Sequence, residues 1–116
     1  MHKKSTIDYL KLTQQIILKH IDSKMYKVFL FGIRACGNAK HYSDIDIGVL
    51  GSVKLNSIVK AEIEAEIDES IVPYKVDIVD FYSVNDEFKK YALEKIVQWN
   101  WYISLMNYII YLVKPS

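Results

Sequence analysis

Asp44 and Asp46 stand one residue apart in the run Ser43-Asp44-Ile45-Asp46-Ile47. Successive side chains of a strand point to opposite faces, so both carboxylates project from one face while Ile45, Ile47 and Val49 line the other. Two carboxylates one strand repeat apart can share a divalent cation, and hard oxygen ligands of this kind suit Mg²⁺ or Mn²⁺. Upstream, Val28–Phe31 is a short apolar run stopped by Gly32, the pattern of an interior strand. A glycine turn at that point can bring backbone N–H groups close to an anion, above all if it opens a helix. A phosphate cradle followed by a metal-binding Asp-x-Asp suggests metal-assisted chemistry on a nucleoside triphosphate.

The rest of the chain must supply a scaffold for these residues. Ser5 or Thr6 can cap a first helix, along which Ile7, Leu10, Gln14, Ile17 and Ile21 recur at helical spacing. Asp22-Ser23-Lys24 ends it. After the second strand Gly51-Ser52 turns the chain, and Asn56 or Ser57 can cap a second helix running to about Ser70. Its apolar stripe, Ile58, Ile63, Ile67 and Ile71, is narrow, and Glu62, Glu64, Glu66, Asp68 and Glu69 read as a solvated face. Pro73 stops the helix and biases Val72 toward extended backbone.

Tyr74–Asp80 then alternates as a third strand. Asp77 and Asp80 have opposite parity on it, so only one of them can point at the site. Asp80 sits at the strand end, where it would meet solvent or cap the turn. Ser83 opens a third helix, with Ser83 and Asp86 spaced like a capping box and Asp86 and Glu87 favourable to its N-terminal dipole. The order helix–strand–strand–helix–strand–helix fits a small α+β domain, a mixed sheet with helices packed mainly on one face.

The stretch Gly32-Ile33-Arg34-Ala35-Cys36-Gly37, followed by Ser43-Asp44-Ile45-Asp46, resembles the Gly-Ser-Arg-Ala-Arg-Gly … Ser-Asp-x-Asp signature of minimal nucleotidyltransferases. These belong to the DNA polymerase beta-type nucleotidyltransferase superfamily. The resemblance covers roughly residues 5–97, with Val76-Asp77-Ile78-Val79 at the position of the family's third acid. It implies a nucleotidyltransferase fold in which Asp44, Asp46 and Asp77 bind Mg²⁺ (or Mn²⁺) and serve catalysis. Asp77 would also help to deprotonate an incoming hydroxyl. Gly32, Ile33 and Arg34 would cradle the phosphates of ATP, Arg34 either through charge-assisted bonds or, alternatively, as a surface residue pairing with a nearby acid.

The resemblance further implies transfer of AMP from ATP to a hydroxyl. Many minimal nucleotidyltransferases are antitoxins paired with HEPN ribonuclease toxins, and they resemble enzymes that adenylylate a toxin tyrosine. The chain shows no second domain to hold a small substrate, so a partner protein such as a HEPN-type toxin is the expected acceptor. Two departures stand out: Ile33 replaces the motif serine and Cys36 the second arginine. Ile33 cannot donate a side-chain hydrogen bond, a loss on the order of 1.5–3 kcal/mol at a charged acceptor. The competing expectation is therefore a weak or inactive nucleotidyltransferase-fold module that neutralises its partner by contact. Cys36 reads as a small buried thiol, since no base is placed beside it.

Bulk properties bound these readings. A chain of 116 residues, 51% hydrophobic and 25% charged, is one globular domain with one core. A formal charge of +1 argues against a platform for long nucleic acid, although a nucleotide neutralised by metal remains compatible. One cysteine excludes an internal disulfide or a cysteine-based zinc site. Residues 5–15 are too polar for a secretory signal, so the expected location is cytoplasmic. The nucleotidyltransferase domain is placed at residues 1–98, followed by an apolar extension at 99–116. As a helix, 99–113 would carry one polar stripe, Asn100, Ser104, Asn107 and Tyr111. Fifteen helical residues reach about 22 Å, short of the roughly 30 Å of a bilayer core, so no membrane span is expected. The segment would instead cover its own core, a partner, or a second copy in a homo-oligomer.

Overall fold

The computed structural model describes residues 7–37 and 43–100. Helix α1 runs Tyr9–His20, and Asp8 caps it by accepting the Lys11 N–H at 3.0 Å. The cap thus falls later than Ser5 or Thr6: Asp8 has extended backbone and a short carboxylate within reach of an otherwise unpaired first-turn donor. Thr13, Ile16 and Ile17 form its buried stripe, with Thr13 Oγ1 donating to the Tyr9 carbonyl at 2.7 Å. Ile7, ahead of the helix, is exposed, and Gln14 is partly buried because its Nε2 donates to the Trp99 carbonyl at 3.4 Å.

Strand β1, Tyr26–Phe31, pairs antiparallel with β2, Ile45–Gly51, which sets Phe31 opposite Asp46 and Phe29 opposite Gly48. Strand β3, Val76–Asp80, lies parallel to β2, so the connection between them crosses over through helix α2, Ser57–Glu69. Asn56 caps α2 by accepting the N–H of Ile58 at 2.8 Å. A two-residue strand β4, Val97–Gln98, pairs antiparallel with the other edge of β1 and completes the order β3-β2-β1-β4. β4 carries no signal in the sequence, because two residues are too few to show a period; the strand exists only where β1 offers a free edge.

The sheet's two faces carry different cores. Val28, Leu30, Ile45, Ile47, Val49 and Ile78 pack against Ile16, Ile17 and Ile21 at α1 and Ile63 and Ile67 of α2. Each aliphatic side chain fully buried here stabilises the fold by about 1.5–3 kcal/mol. Ile58 and Ile71, at the two ends of the expected α2 stripe, are exposed. Glu66 leaves the solvated acidic face of α2 to bond Lys19 and His20 of α1, and its carboxyl is held below the usual range chiefly by the Lys19 hydrogen bond.

The opposite face is aromatic. Phe29 and Phe81 meet edge-on with ring centroids 5.0 Å apart, and Phe31 meets Phe81 at 5.3 Å. A Cβ on Gly48 would overlap the Phe29 ring, so the bare glycine is what lets that ring lie across β2. Helix α3, Asp86–Ala92, adds Phe88 and Ala92 to this side. Its cap is Asn85, which accepts the Phe88 N–H at 2.8 Å, in place of the expected Ser83. Asp80 caps the turn as anticipated, with Oδ1 accepting the Tyr82 N–H at 3.1 Å, and Oδ2 also accepts the Leu55 N–H at 2.9 Å.

Trp99 and Asn100 bind directly to β1. The Trp99 N–H donates to the Val28 carbonyl at 2.9 Å. Asn100, fully buried, accepts the Val28 N–H at 2.8 Å and donates to the Tyr26 carbonyl at 2.9 Å and Ser23 Oγ at 3.1 Å. The other members of the expected polar stripe, with all of 101–113, lie outside the described residues. Among the described residues, no helix is long and apolar enough to cross a membrane.

Candidate active site

The centre of the site is where β1 ends against β2. Gly32 leaves β1 with φ 74° and ψ −154°, a region open essentially to glycine alone. Any Cβ there would stand 2.5 Å from Oδ2 of Asp46. Glycine therefore serves two ends at once, a backbone turn barred to other residues and an unobstructed approach to a carboxylate. A single 3-10 turn, Ile33–Cys36, follows, closed by Gly37 in the left-handed conformation at φ 74°. Ala35 anchors this turn in the aliphatic core, and its N–H donates to the Gly32 carbonyl at 3.1 Å. The N–H groups of Ile33 and Arg34 belong to the start of that turn, ahead of any helical acceptor.

The parallel register places Asp46 directly opposite Asp77. Asp44 comes one strand repeat earlier, just ahead of β2, and is exposed, as is Asp77; Asp46 is half-buried. Asp77 is thus the β3 acid on the face of Asp46, while Asp80 has the opposite parity. Burial pushes the Asp46 carboxyl above its ordinary value, the neighbouring charges of Asp77 and Asp44 push it further, and Lys75 opposes them. Sequence reasoning passed over Lys75, although its parity on the approach to β3 matches that of Asp77 and would have flagged it.

These three acids offer an all-oxygen donor set, the chemistry that Mg²⁺ and Mn²⁺ prefer. Among the described residues no three His, Cys, Asp or Glu side chains are drawn together into a ready cage. Mg²⁺ rarely uses one: it keeps several waters and takes one or two carboxylates plus substrate phosphates. Burial first, and the charges of Asp77 and Asp44 second, disfavour the Asp46 carboxylate, a cost that a cation relieves. The residues therefore fit the metal that the motif implies.

The raised Asp46 value has a defined consequence for stability. Below the ordinary carboxylate range Asp46 is protonated in both folded and unfolded chains. As pH rises from there through the raised folded value, the unfolded chain ionises first, so the fold loses stability across that window. Asp46→Asn is expected to flatten this loss and to melt above the wild type at neutral pH without metal. A variant that melts at or below the wild type under those conditions would contradict the combined cost of burial and repulsion at Asp46.

The remaining motif residues are placed as follows. Arg34 donates from Nε and Nη2 to the Ser43 carbonyl, at 2.9 and 2.6 Å, and its guanidinium lies over the Tyr74 ring, 4.5 Å from the centroid. Tyr74 carried no signal in the sequence beyond its place next to Pro73. Ile33 is 58% exposed. Cys36 is exposed, against the expectation of a buried thiol, because the core-facing position of the turn is taken by Ala35. Ile33 and Cys36 both line a cleft of about 340 Å³ with Phe31, Gly32, Phe88 and Tyr91. Lys40 and His41, which precede β2 in the sequence and read there as solvated loop residues, lie outside the described residues.

Comparison with known proteins identifies the family. The chain matches the family described as polymerase beta, nucleotidyltransferase over residues 5–98. It is 31% identical over 65 residues to a Haemophilus influenzae protein named probable protein adenylyltransferase MntA. That match takes in 56% of this chain and 57% of the relative, so it spans little more than half of the relative's length. In fold the chain is similar to one in a crystal structure of a toxin–antitoxin with AMP-PNP, at TM-score 0.62 and 21% identity, covering 91% of this chain and 88% of that one. It is also similar to a chain from the tri-AMPylated Shewanella oneidensis HEPN toxin in complex with MNT antitoxin, at TM-score 0.53 and 22% identity, covering 88% and 86%. With the match running through the glycine turn and all three acids, the chain belongs to the polymerase beta nucleotidyltransferase family.

Proposed function

We propose that this nucleotidyltransferase moves AMP from ATP to a hydroxyl on a partner protein of the HEPN toxin type, and so acts as an antitoxin. The observation that carries the reading is the in-register pair Asp46 and Asp77, with Asp44 one repeat ahead and the Gly32 turn against the Asp46 carboxylate. The named likeness to MntA and to toxin–antitoxin structures supports the choice of acceptor.

In this reading the N–H groups at 33 and 34 hold the phosphates. Asp77 accepts the proton of the acceptor hydroxyl, whose oxygen bonds to the α-phosphorus as pyrophosphate departs. Asp44, Asp46 and Asp77, together with substrate phosphates, would hold Mg²⁺ or Mn²⁺, which would supply neutralisation of the phosphate charge. ATP as substrate makes the cytoplasm the place of action. Calorimetric titration of ATP with and without Mg²⁺, followed by intact mass of a HEPN partner incubated with both, tests the proposal. Metal-dependent binding and a partner heavier by one or more AMP units are expected; ATP binding indifferent to metal, or no binding, overturns it.

Ile33 favours a second reading, in which the module neutralises its partner by contact with little or no transfer. An exposed isoleucine stands where a hydroxyl would reach a phosphate. Ile33→Ser is expected to tighten ATP binding about tenfold, the worth of one hydrogen bond to a charged acceptor. If the serine weakens binding, the isoleucine serves another ligand and the degraded-motif view fails.

A further inference from the structure

We infer that Arg34 and Tyr74 form a positioning pair that sets the entry of β2, and hence the aim of Asp44, while the phosphates are left to the backbone of the glycine turn. The inference rests on the proposed metal-dependent reaction and adds roles that the motif alone does not assign.

Arg34 sits in the 3-10 turn after Gly32, and both its Nε and its Nη2 donate to the Ser43 carbonyl. That carbonyl belongs to the peptide joining Ser43 to Asp44. Holding it fixes the plane from which the Asp44 side chain departs. The guanidinium carbon also lies over the Tyr74 ring, 4.5 Å from its centroid, and a cation on an aromatic face is drawn to it by the ring's quadrupole. Tyr74 is itself braced, edge-on against Tyr9 of α1 with centroids 5.8 Å apart. Its neighbour Lys75 accepts the Ile45 N–H at its carbonyl, 2.9 Å away, tying the two strands together one residue beyond Asp44. Asp44 is thereby flanked on both sides, by the Arg34 bonds before it and the Lys75 carbonyl after it. Asp44 precedes the regular strand, so the sheet ladder alone does not hold it as it holds Asp46.

The arrangement separates two roles for Arg34. As a phosphate ligand it would act on ATP and not on metal bound without nucleotide. As a positioning residue it acts on the acids, and Tyr74, which contributes a ring and no phosphate-directed cation, shares the effect. The test is Mn²⁺ binding to the full chain without nucleotide, followed by electron paramagnetic resonance, in wild type, Arg34→Ala, Arg34→Lys, Tyr74→Leu, Tyr74→Phe and the Ala/Leu double variant. Amide hydrogen exchange at Asp44 and Ile45 is read on the same proteins. Arg34→Ala and Tyr74→Leu are each expected to weaken Mn²⁺ about tenfold and to speed exchange at both amides. The double variant should be little worse than either single one, since both break one unit. Tyr74→Phe should restore the wild-type values, and Arg34→Lys should not, because an ammonium lacks the fork and the stacking plane.

Unchanged exchange and unchanged Mn²⁺ affinity in Tyr74→Leu overturn the inference, as does full rescue by Arg34→Lys. If the wild type takes no Mn²⁺ without nucleotide, as a site completed by substrate phosphates allows, the exchange rates decide whether the pair holds the Asp44 peptide, and unchanged rates in Tyr74→Leu overturn the inference.

Discussion

The double variant Asp44→Asn, Asp46→Asn is expected to lose metal-dependent ATP binding by at least about a hundredfold while the domain stays folded. Metal sites lose 10–100-fold on mutation of supporting residues alone, and here two charged oxygen donors go at once. The fold survives because neither carboxylate is a core anchor: Asp44 is exposed, and Asp46 is half-buried under repulsion from Asp77 and Asp44. The same substitution therefore raises thermal stability in metal-free buffer while removing binding. Opposite signs in the two measurements are expected where burial first, and like charges second, disfavour a carboxylate that a cation uses. Calorimetry with Mg²⁺ and ATP, paired with thermal melting, reads both. Unchanged affinity in the double variant would sink the metal assignment, and a lowered melting temperature would show that the acids support the fold.

The second large effect is on stability. Asn100→Ala is expected to cost about 2–5 kcal/mol, because it strips partners from the buried Val28 N–H and from the Tyr26 carbonyl, each worth about 1–3 kcal/mol when left unsatisfied. Against a typical total of about 5–15 kcal/mol this is a substantial fraction. Urea unfolding monitored by circular dichroism measures it; a loss below about 0.5 kcal/mol would mean that water replaces the side chain. Asn100→Asp keeps an acceptor for Val28 but loses both donated bonds and buries a charge, so it should be worse than alanine. This anchor also bears on the apolar segment beyond it. A chain ending at Gln98 loses Trp99 and Asn100, and with them the bonds to Ser23, Tyr26 and Val28. The proposal that the C-terminal segment covers a partner or a second copy is therefore tested with a chain ending at Asn100, which keeps those bonds.

Much of the site is legible in the linear chain because its cause is local. Strand alternation alone sets Asp44 and Asp46 on one side and Ile45, Ile47 and Val49 on the other, and the latter three are core residues. Gly32 is readable as a required turn because only glycine tolerates its backbone angles. A cap at Asn56 or Ser57 is readable because a short polar side chain can reach first-turn donors without tertiary help, and the structure takes Asn56. The helix starts at Asp8 and Asn85 show the limit of the same logic. Ser5, Thr6 and Ser83 satisfy the capping pattern equally well, and the choice among neighbouring candidates falls to where the chain leaves the preceding element.

What the tertiary structure decided is everything that depends on two strands meeting. Parity narrows the β3 acid to Asp77 or Asp80, and only the parallel register with β2 sets Asp77 against Asp46. The exposure of Cys36 follows from which side of a four-residue turn meets the core, and Ala35 takes that side. The direction of Arg34 depends on a carbonyl nine residues away and a ring forty residues away, which no local pattern encodes. β4 and Asn100 have partners more than sixty residues upstream, on an edge of β1 that exists only once the sheet has formed. Local conformational preference thus determined the turn, the alternating acids and the helices. Long-range pairing, whose energy appears only after the chain has closed on itself, decided which charges face one another and what holds them there.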